Sequence, residues 1–345
     1  MHTYRLALIG FGNVGQGFAQ ILRDFGAQYE RQFGARFLIN AVSDLQKGSL
    51  YDPDGLDPAI LLAAINTYGN LESVPAPHKG WDALKTITEA NADVVAELSF
   101  TDLKTGEPAI SHLKAAIQSG KHVITTNKGP VALAYRELRT LADKHGVTIG
   151  VEGSVMSGTP SLRLGMDLLN AAEVTCIQGI INGTTNYILS QMDSGAAYED
   201  ALAEAQAKGY AEADPTGDVE GFDAAGKVVI LANLLMGADI RMADVDRTGI
   251  TRLTVEDIQA AKTNCECWKL IGKVEKTDAG VIASVKLQRL PETHPLAQVS
   301  GATNAITFTT RLLGDVTIIG PGAGRLETGY ALVGDLLALH RSKTA

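Results

Sequence analysis

Cysteine is scarce in this 345-residue chain, which carries only Cys176, Cys265 and Cys267. An odd count, with Cys265 and Cys267 one residue apart and no second pair beside them, excludes a disulfide framework and a structural zinc site, so the thiols are expected to be reduced. Basic stretches are lacking too. Lys and Arg total 30 against 39 Asp and Glu, a formal net charge of -9, and no run of lysine or arginine makes a stripe, which argues against a nucleic-acid backbone or an anionic membrane surface as partner. No apolar run is long enough to span a bilayer. The opening "MHTYRLALIGFGNVG" has only a short apolar run that ends in glycines rather than in a small-residue cleavage site, so a cytoplasmic protein is expected. Low-complexity tails and internal repeats are also absent. A hydrophobic fraction of 45% with 20% charged residues is that of a folded globular chain and excludes a disordered one. At this length two domains are the better expectation than one.

Glycine and short apolar runs are what the first third does have. "YRLALIG", "RFLINAVSD", "NADVVAEL", "KHVITTNK" and "VTIGVEG" read as strands, and helical spacing fills "QGFAQILRDFGAQYERQF", "EPAISHLKAAIQSG" and "GPVALAYRELRTLADKHG" between them. Strand alternating with helix predicts an α/β fold whose N-terminal domain, residues 1–151, is a Rossmann-type doubly wound parallel sheet. "GFGNVG" sets Gly10, Gly12 and Gly15 as G-x-G-x-x-G, with Asn13 and Val14 between them, directly after a strand and opening a helix. The first glycine makes the tight turn, the second lets a pyrophosphate approach the backbone, and the third lets helix and strand pack closely. Asp44, at the end of the second strand, is placed to accept the ribose hydroxyls of NAD, although it lies beyond the usual spacing of roughly 20 residues. Lys47 close by reads either as a partner for the 2′-phosphate of NADP or as a plain surface lysine, which leaves the choice of dinucleotide open.

Past Glu152 the pattern changes. "EVTCIQGIINGTTNYIL" reads as a strand running into a helix, "AAYEDALAEAQAKG" and "GFDAAGKVVILANLL" as helices, and "GVIASVKLQRL" and "NAITFTTRLLGDVTIIG" as half-exposed strands. Residues 152–318 are therefore expected to form a mixed α+β catalytic and dimerisation domain with an open sheet, and residues 319–345 a helix that returns to the dinucleotide-binding domain. Between Glu212 and Lys227 the chain crowds five carboxylates, Glu212, Asp214, Asp218, Glu220 and Asp223. Asp223 stands four residues before Lys227, so the two share one helix face. The apolar "VVILANLL" that follows predicts a helix buried on most sides, where an unpaired lysine is costly. Thr184 in "NGTTNYIL" has the residue type of a helix N-cap. His294 in "ETHPLA" has no supporting cluster and is read as structural, and Met156 and Met166 as core fillers.

Together "GFGNVG", "TTNKGPVA", "EGSVMSGTP", "GIINGTTNYIL", "AKGYAEADPTGDVEGFDAAGKVVILA", "HPLA" and the terminal "GPGAGRLETGYALVGDLL" resemble homoserine dehydrogenase, in family order from about Leu6 to the last helix. The resemblance implies reversible NAD- or NADP-dependent interconversion of L-homoserine and L-aspartate 4-semialdehyde, on the route to threonine, methionine and isoleucine, by a homodimer. It implies Lys227 as the proton-transferring lysine with Asp223 beside it, and Lys128 of "TTNK" as a second lysine at the border of cofactor and substrate. Glu212 and Asp223 would be the substrate-binding acids, with Asp218, Tyr210, Gly183 and Thr184 facing the substrate beside them and Glu212, helped by Asp218 or Asp223, holding its α-ammonium. Val14, Ser99 and Gly324 would meet the cofactor beside the glycine turn. "EGSVMSGTP" matches a monovalent cation loop with Glu152, Val155, Ser157 and Thr159 as Na+ or K+ ligands, mostly through carbonyl oxygens. Asp214 and Glu220 are expected to be spectators or caps. The chain leaves no room for the C-terminal ACT domain of many bacterial relatives, so threonine feedback through one is not expected.

Two other readings stand beside this one. Another amino-acid or semialdehyde dehydrogenase would share the cofactor domain but has no call for the pattern from Glu212 to Lys227. A non-catalytic NAD(H)-binding redox sensor would need neither Lys128 nor Lys227 facing acids.

Overall fold

The computed structural model of the chain describes residues 1–344 and divides it into two compact units, one formed by Met1–Gly158 with the segment from Gly324 onward, the other by Thr159–Ala323. The first unit runs β1 (His2–Ile9), α1 (Asn13–Phe33), β2 (Ala35–Asp44), β3 (Gly48–Tyr51), α2 (Pro58–Tyr68), β4 (His78–Lys79), α3 (Ala83–Glu89), β5 (Val94–Glu97), α4 (Ala109–Gln118), β6 (His122–Thr125), α5 (Lys128–His145) and β7 (Ile149–Gly150). Its sheet has the order β4-β3-β2-β1-β5-β6-β7. The strands from β2 to β7 are parallel, and β3 and β4 extend the β2 edge as antiparallel strands.

Period-two alternation decides which helix meets which face. Leu6 and Leu8 of β1 point to a core shared with Phe18 and Leu22 of α1 and with Leu332 and Leu336 near the C-terminus. Ala7 and Ile9 point the other way, to Ile87, Leu113, Ile117 and Leu138. With both faces covered, β5 is buried at every position, which is why its sequence is apolar almost throughout. The chain leaves β1 toward β2 and later returns to β5 on the opposite side of β1. This reversal is a topological switch point, and ligands of doubly wound sheets bind in the crevice at the carboxyl ends of such strands.

"VTIGVEG" shortens to the two-residue β7. A Cβ on Gly150 would lie 2.6 Å from Asp335, and the Asp335 carboxylate accepts a hydrogen bond from Glu152 N at 3.2 Å, which turns the backbone into a 3-10 turn at Glu152–Ser154.

The second unit contains α6 (Ser161–Arg163), β8 (Val174–Ile180), α7 (Gly183–Asp193), α8 (Tyr198–Ala207), α9 (Thr216–Val219), α10 (Phe222–Leu235), β9 (Asp246–Arg247), α11 (Val255–Thr263), β10 (Glu266–Thr277), β11 (Gly280–Pro291), β12 (Thr303–Thr310) and β13 (Gly314–Pro321). Its sheet is open, in the order β13-β12-β8-β10-β11-β9, and antiparallel except where β9 joins β11. α7 packs on β10 and β12, and α10 on β10 and β11. β11 alternates between buried and open positions, as a half-exposed strand should. β12 does not: only Thr303 and Thr309 are partly open, because this strand lies between β8 and β13 with α7 against it.

The last helix, α12 (Arg325–Thr344), belongs to the first unit and lies along α1. Gly17 makes that approach possible, since a Cβ there would sit 2.0 Å from the Arg325 carbonyl oxygen. Among the described residues no helix is long and apolar enough to cross a membrane.

Candidate active site

β1 delivers the chain into the glycine turn. Gly10 has a φ of 102°, and a Cβ on it would be 2.4 Å from the Leu98 carbonyl oxygen, so the chain leaving β5 presses against the turn where the sheet reverses. A Cβ on Gly15 would be 2.8 Å from the Gly10 carbonyl oxygen, which fixes how closely α1 starts beneath it. Gly12 differs: nothing lies within 4 Å of its Cβ position. Two glycines thus serve the fold, and the third leaves open the space a pyrophosphate needs. Asn13 and Val14 open α1, whose first turn holds no acidic residue of its own, so its N–H groups and dipole favour an anion there.

Asp44 at the end of β2 accepts Phe11 N at 2.7 Å, Gln46 N at 3.0 Å and Lys47 N at 2.9 Å. Burial pushes its carboxyl up, but those three N–H groups and the Lys47 charge outweigh it and hold it below the usual range. The Lys47 ammonium is 3.9 Å from Asp44 and about one-fifth exposed, at 22%. It is not a plain surface lysine.

At the end of β5, Glu97 is wholly buried, at 0% exposure. Its carboxylate accepts from Ser99 Oγ and meets His112 Nδ1 at 3.3 Å and Asn127 Nδ2 at 3.2 Å. Asn127 also donates to the Phe100 carbonyl at 3.0 Å and caps α5 by accepting Gly129 N at 3.1 Å. Ser99 and Lys128, the first residue of α5, therefore hang from one buried network. Sequence reasoning missed Glu97, His112 and Asn127; the available signal was an acid closing an apolar strand at the ligand end of a doubly wound sheet.

Glu152, Val155 and Ser157 are buried in the first unit and Thr159 in the second. The Ser157 hydroxyl pairs with Thr328 Oγ1 at 2.9 Å, and Thr159 Oγ1 donates to the Pro321 carbonyl at 2.9 Å. Both hydroxyls are hydrogen-bonded within the protein. Among the described residues no group of three His, Cys, Asp or Glu could hold a metal. Gly324 stands before α12 with a φ of 137°, and a Cβ on it would be 2.0 Å from Glu327 Oε2.

The second unit gathers a separate polar cluster. Lys227, 6% exposed on α10, donates to the Ile181 carbonyl at 2.7 Å and pairs with Asp223 Oδ2 at 2.7 Å. Asn182, between β8 and α7, donates from Nδ2 to Asp218 Oδ1 at 2.6 Å and to Asp223 Oδ2 at 3.0 Å. Burial raises the Asp218 carboxyl above its usual range, and the Asp223 charge adds to this; Asn182, Lys227 and Thr184 only partly offset it. Asn182, rather than Thr184, caps α7, accepting Thr185 N at 2.9 Å. Thr184 Oγ1 instead donates to the Tyr210 carbonyl at 2.6 Å. A Cβ on Gly183 would be 2.6 Å from the Ala302 carbonyl oxygen, so a close chain approach explains that glycine. N-cap preference in the sequence admits Asn182 and Thr184 alike, and the backbone decides for Asn182.

The loop before α9 lies open. Glu212 is exposed; its main-chain carbonyl accepts Gln206 Nε2 at 3.0 Å. Tyr210 is 45% exposed and its ring sits 5.0 Å from that of Tyr187. Asp214 accepts Thr216 N at 3.1 Å, as a turn cap does. Glu220 is more than a spectator. Its carboxylate accepts Thr251 Oγ1 at 2.8 Å, its carbonyl accepts Arg247, and the Arg247 guanidinium lies 3.7 Å from the Phe222 ring centroid. These contacts pin the Gly221 turn from which α10 starts. His294 Nδ1 accepts Leu296 N at 3.1 Å in a turn. Met156 is fully buried, whereas Met166 is only half-buried.

A doubly wound unit with an open glycine turn, joined to a unit holding a buried lysine between carboxylates, defines a dinucleotide-dependent oxidoreductase. The comparisons narrow this class. The homoserine dehydrogenase family model matches residues 160–337, and the homoserine dehydrogenase NAD binding domain model matches residues 10–152. The NAD(+)-dependent homoserine dehydrogenase of Pseudomonas canavaninivorans is 45% identical, over 100% of this chain and 98% of that one. The homoserine dehydrogenase of Methanocaldococcus jannaschii is 38% identical over 98% of each. Among solved structures, a homoserine dehydrogenase from Thiobacillus denitrificans superposes with a TM-score of 0.85 at 33% identity, covering 100% of this chain and 74% of that one. A hyperthermophilic archaeal homoserine dehydrogenase in complex with NADPH gives a TM-score of 0.84 at 26% identity, covering 99% and 98%. The chain belongs to the homoserine dehydrogenase family.

Proposed function

We propose that the chain interconverts L-homoserine and L-aspartate 4-semialdehyde with NAD or NADP, in the biosynthesis of threonine, methionine and isoleucine, with Lys227 moving the proton of the alcohol oxygen. The observation that carries this reading is the buried Lys227 ammonium, held 2.7 Å from both the Ile181 carbonyl and Asp223. A lysine so fixed gives a proton to the oxygen when the aldehyde is reduced. It takes one back, as neutral amine, when the alcohol is oxidised.

The residues of the first unit fit a dinucleotide. Gly10, Gly12, Asn13, Val14 and Gly15 would hold its pyrophosphate, Asp44 its ribose hydroxyls, and Ser99, Lys128 and Gly324 the remainder; the open position over Gly12 is the cradle. When bound, the nicotinamide supplies the hydride acceptor or donor. In the second unit the exposed Glu212 carboxylate and Asp218 take the substrate α-ammonium, and Tyr210, Gly183 and Thr184 shape the rest of that surface. The 152–159 loop, with Glu152, Val155, Ser157 and Thr159, holds Na+ or K+ through its carbonyls.

A homodimer formed through the second unit is part of the same reading. It is supported by the outer position of β13, where Ile319 is 55% exposed, and by the exposed Leu312 and Leu313 in the turn before that strand. A cytoplasmic location is supported by three unpaired cysteines. The test is a spectrophotometric assay of the purified protein with L-homoserine and either NAD or NADP, and in reverse with the semialdehyde. Reduced cofactor in the presence of L-homoserine is expected. A protein that binds a dinucleotide yet turns over in neither direction would contradict the proposal.

A further inference from the structure

We infer that Asn182 is a positioning residue for this reaction: its side-chain amide sets Asp218 and Asp223 around Lys227. The inference rests on the proposed role of Lys227. Asn182 is 5% exposed, and its two polar atoms do different work. Oδ1 faces the helix, accepting Thr185 N at 2.9 Å and Thr185 Oγ1 at 3.0 Å. Nδ2 faces the acids, at 2.6 Å from Asp218 Oδ1 and 3.0 Å from Asp223 Oδ2.

An amide nitrogen has two N–H donors, and here each carboxylate has one within reach. The carboxylate oxygen that Asn182 meets on Asp223 is the one that pairs with Lys227. A neutral donor therefore draws two like charges together without adding a charge of its own, and Lys227 supplies a cation against Asp223. The charged and polar groups facing this point include Asp218 from α9, Asp223 and Lys227 from α10, Thr184 from α7 and the Ile181 carbonyl. Without the amide, Asp223 would lose a fixed partner and Asp218 would stand beside a second anion with less to hold it. The consequence falls on Lys227, whose ammonium Asp223 holds together with the Ile181 carbonyl. Helix capping alone does not require this, because an N-cap uses only Oδ1.

Asn182→Asp separates the two jobs. It keeps the cap oxygen and the shape, but puts an acceptor where the donor was. The expected result is near-wild-type dinucleotide binding with a lowered melting temperature, because a third carboxylate joins two partly buried acids. The kcat for L-homoserine oxidation falls about 100-fold, as for two lost hydrogen bonds to charged groups. The limb of the kcat–pH profile moves to higher pH, since an added negative charge favours the ammonium of Lys227. Wild-type kcat with an unmoved limb would overturn the inference. Should that variant fold poorly, Asn182→Ser keeps a capping hydroxyl too short to reach both carboxylates; a similar loss is expected, and wild-type turnover in a folded Ser variant would overturn the inference. Lys227→Ala run in the same series separates the two claims. Turnover surviving in Lys227→Ala sinks the proton-transfer reading and this inference with it, whereas an inactive Lys227→Ala beside a wild-type-like Asn182→Asp sinks this inference alone.

Discussion

The Lys227 ammonium sits 2.7 Å from Asp223 Oδ2, one helical turn along α10, with side-chain exposures of 8% and 21%. Every residue from Ala224 to Ala232 on that helix is buried, so the pair lies at the edge of a core. Breaking a buried ion pair from one side costs far more than the pair contributes, because the remaining charge keeps its desolvation penalty. Asp223→Ala should therefore destabilise the second unit by roughly 3 kcal/mol, read by urea denaturation. Replacing Asp223 and Lys227 together by Ala and Met should cost less than Asp223→Ala alone.

Gly10 and Gly12 should respond oppositely to one added methyl group. Gly10→Ala drives a Cβ to 2.4 Å from the Leu98 carbonyl at a φ of 102°, so folding yield and melting temperature should fall. Gly12→Ala meets nothing within 4 Å; it should fold normally but bind NAD or NADP more weakly by at least about tenfold, as a methyl group filling the approach to the pyrophosphate would require. Calorimetry of folding and of dinucleotide binding on both variants checks this.

His122 gives the first unit an acid-sensitive point. It is 8% exposed, and its Nδ1 accepts Thr148 N at 3.0 Å, which a protonated Nδ1 cannot do. Burial drives its pKa down from 6.5 to about 4, with the Lys343 charge adding to the fall and Asp93 opposing it. A histidine whose folded pKa is depressed contributes stability that is complete above the unfolded value and is lost as pH falls through the folded one. The wild type should lose this contribution between pH 6.5 and about 4, and His122→Gln should show a flatter melting temperature across that window.

The alternation of apolar strands with helices was readable because each buried parallel strand is apolar almost throughout, as in β5, and each helix carries one apolar stripe. β3 and β4 were not, since two short edge strands leave little hydrophobic pattern. β12 reads as half-exposed because burial of its outer positions comes from neighbours that the chain reaches only after folding. The Lys227–Asp223 pair was legible for a local reason: four residues on a helix share a face. Asn182 was not, because its partners Asp218 and Asp223 are 36 and 41 residues away, and nothing in a hydrophobic pattern records a hydrogen bond of that span. Glu97 was hidden in the same way, with Asn127 30 residues on. Thr184 misled because hydroxyl residues and asparagine are interchangeable as caps in sequence, and only the backbone shows which one precedes the helix.

The central claim is that Lys227 moves the substrate proton. The most direct test is the kcat for L-homoserine oxidation in Lys227→Ala, measured at saturating dinucleotide beside its affinity for that dinucleotide. The account predicts turnover lowered by at least about 100-fold with dinucleotide affinity unchanged. Wild-type turnover in Lys227→Ala at saturating dinucleotide would contradict it.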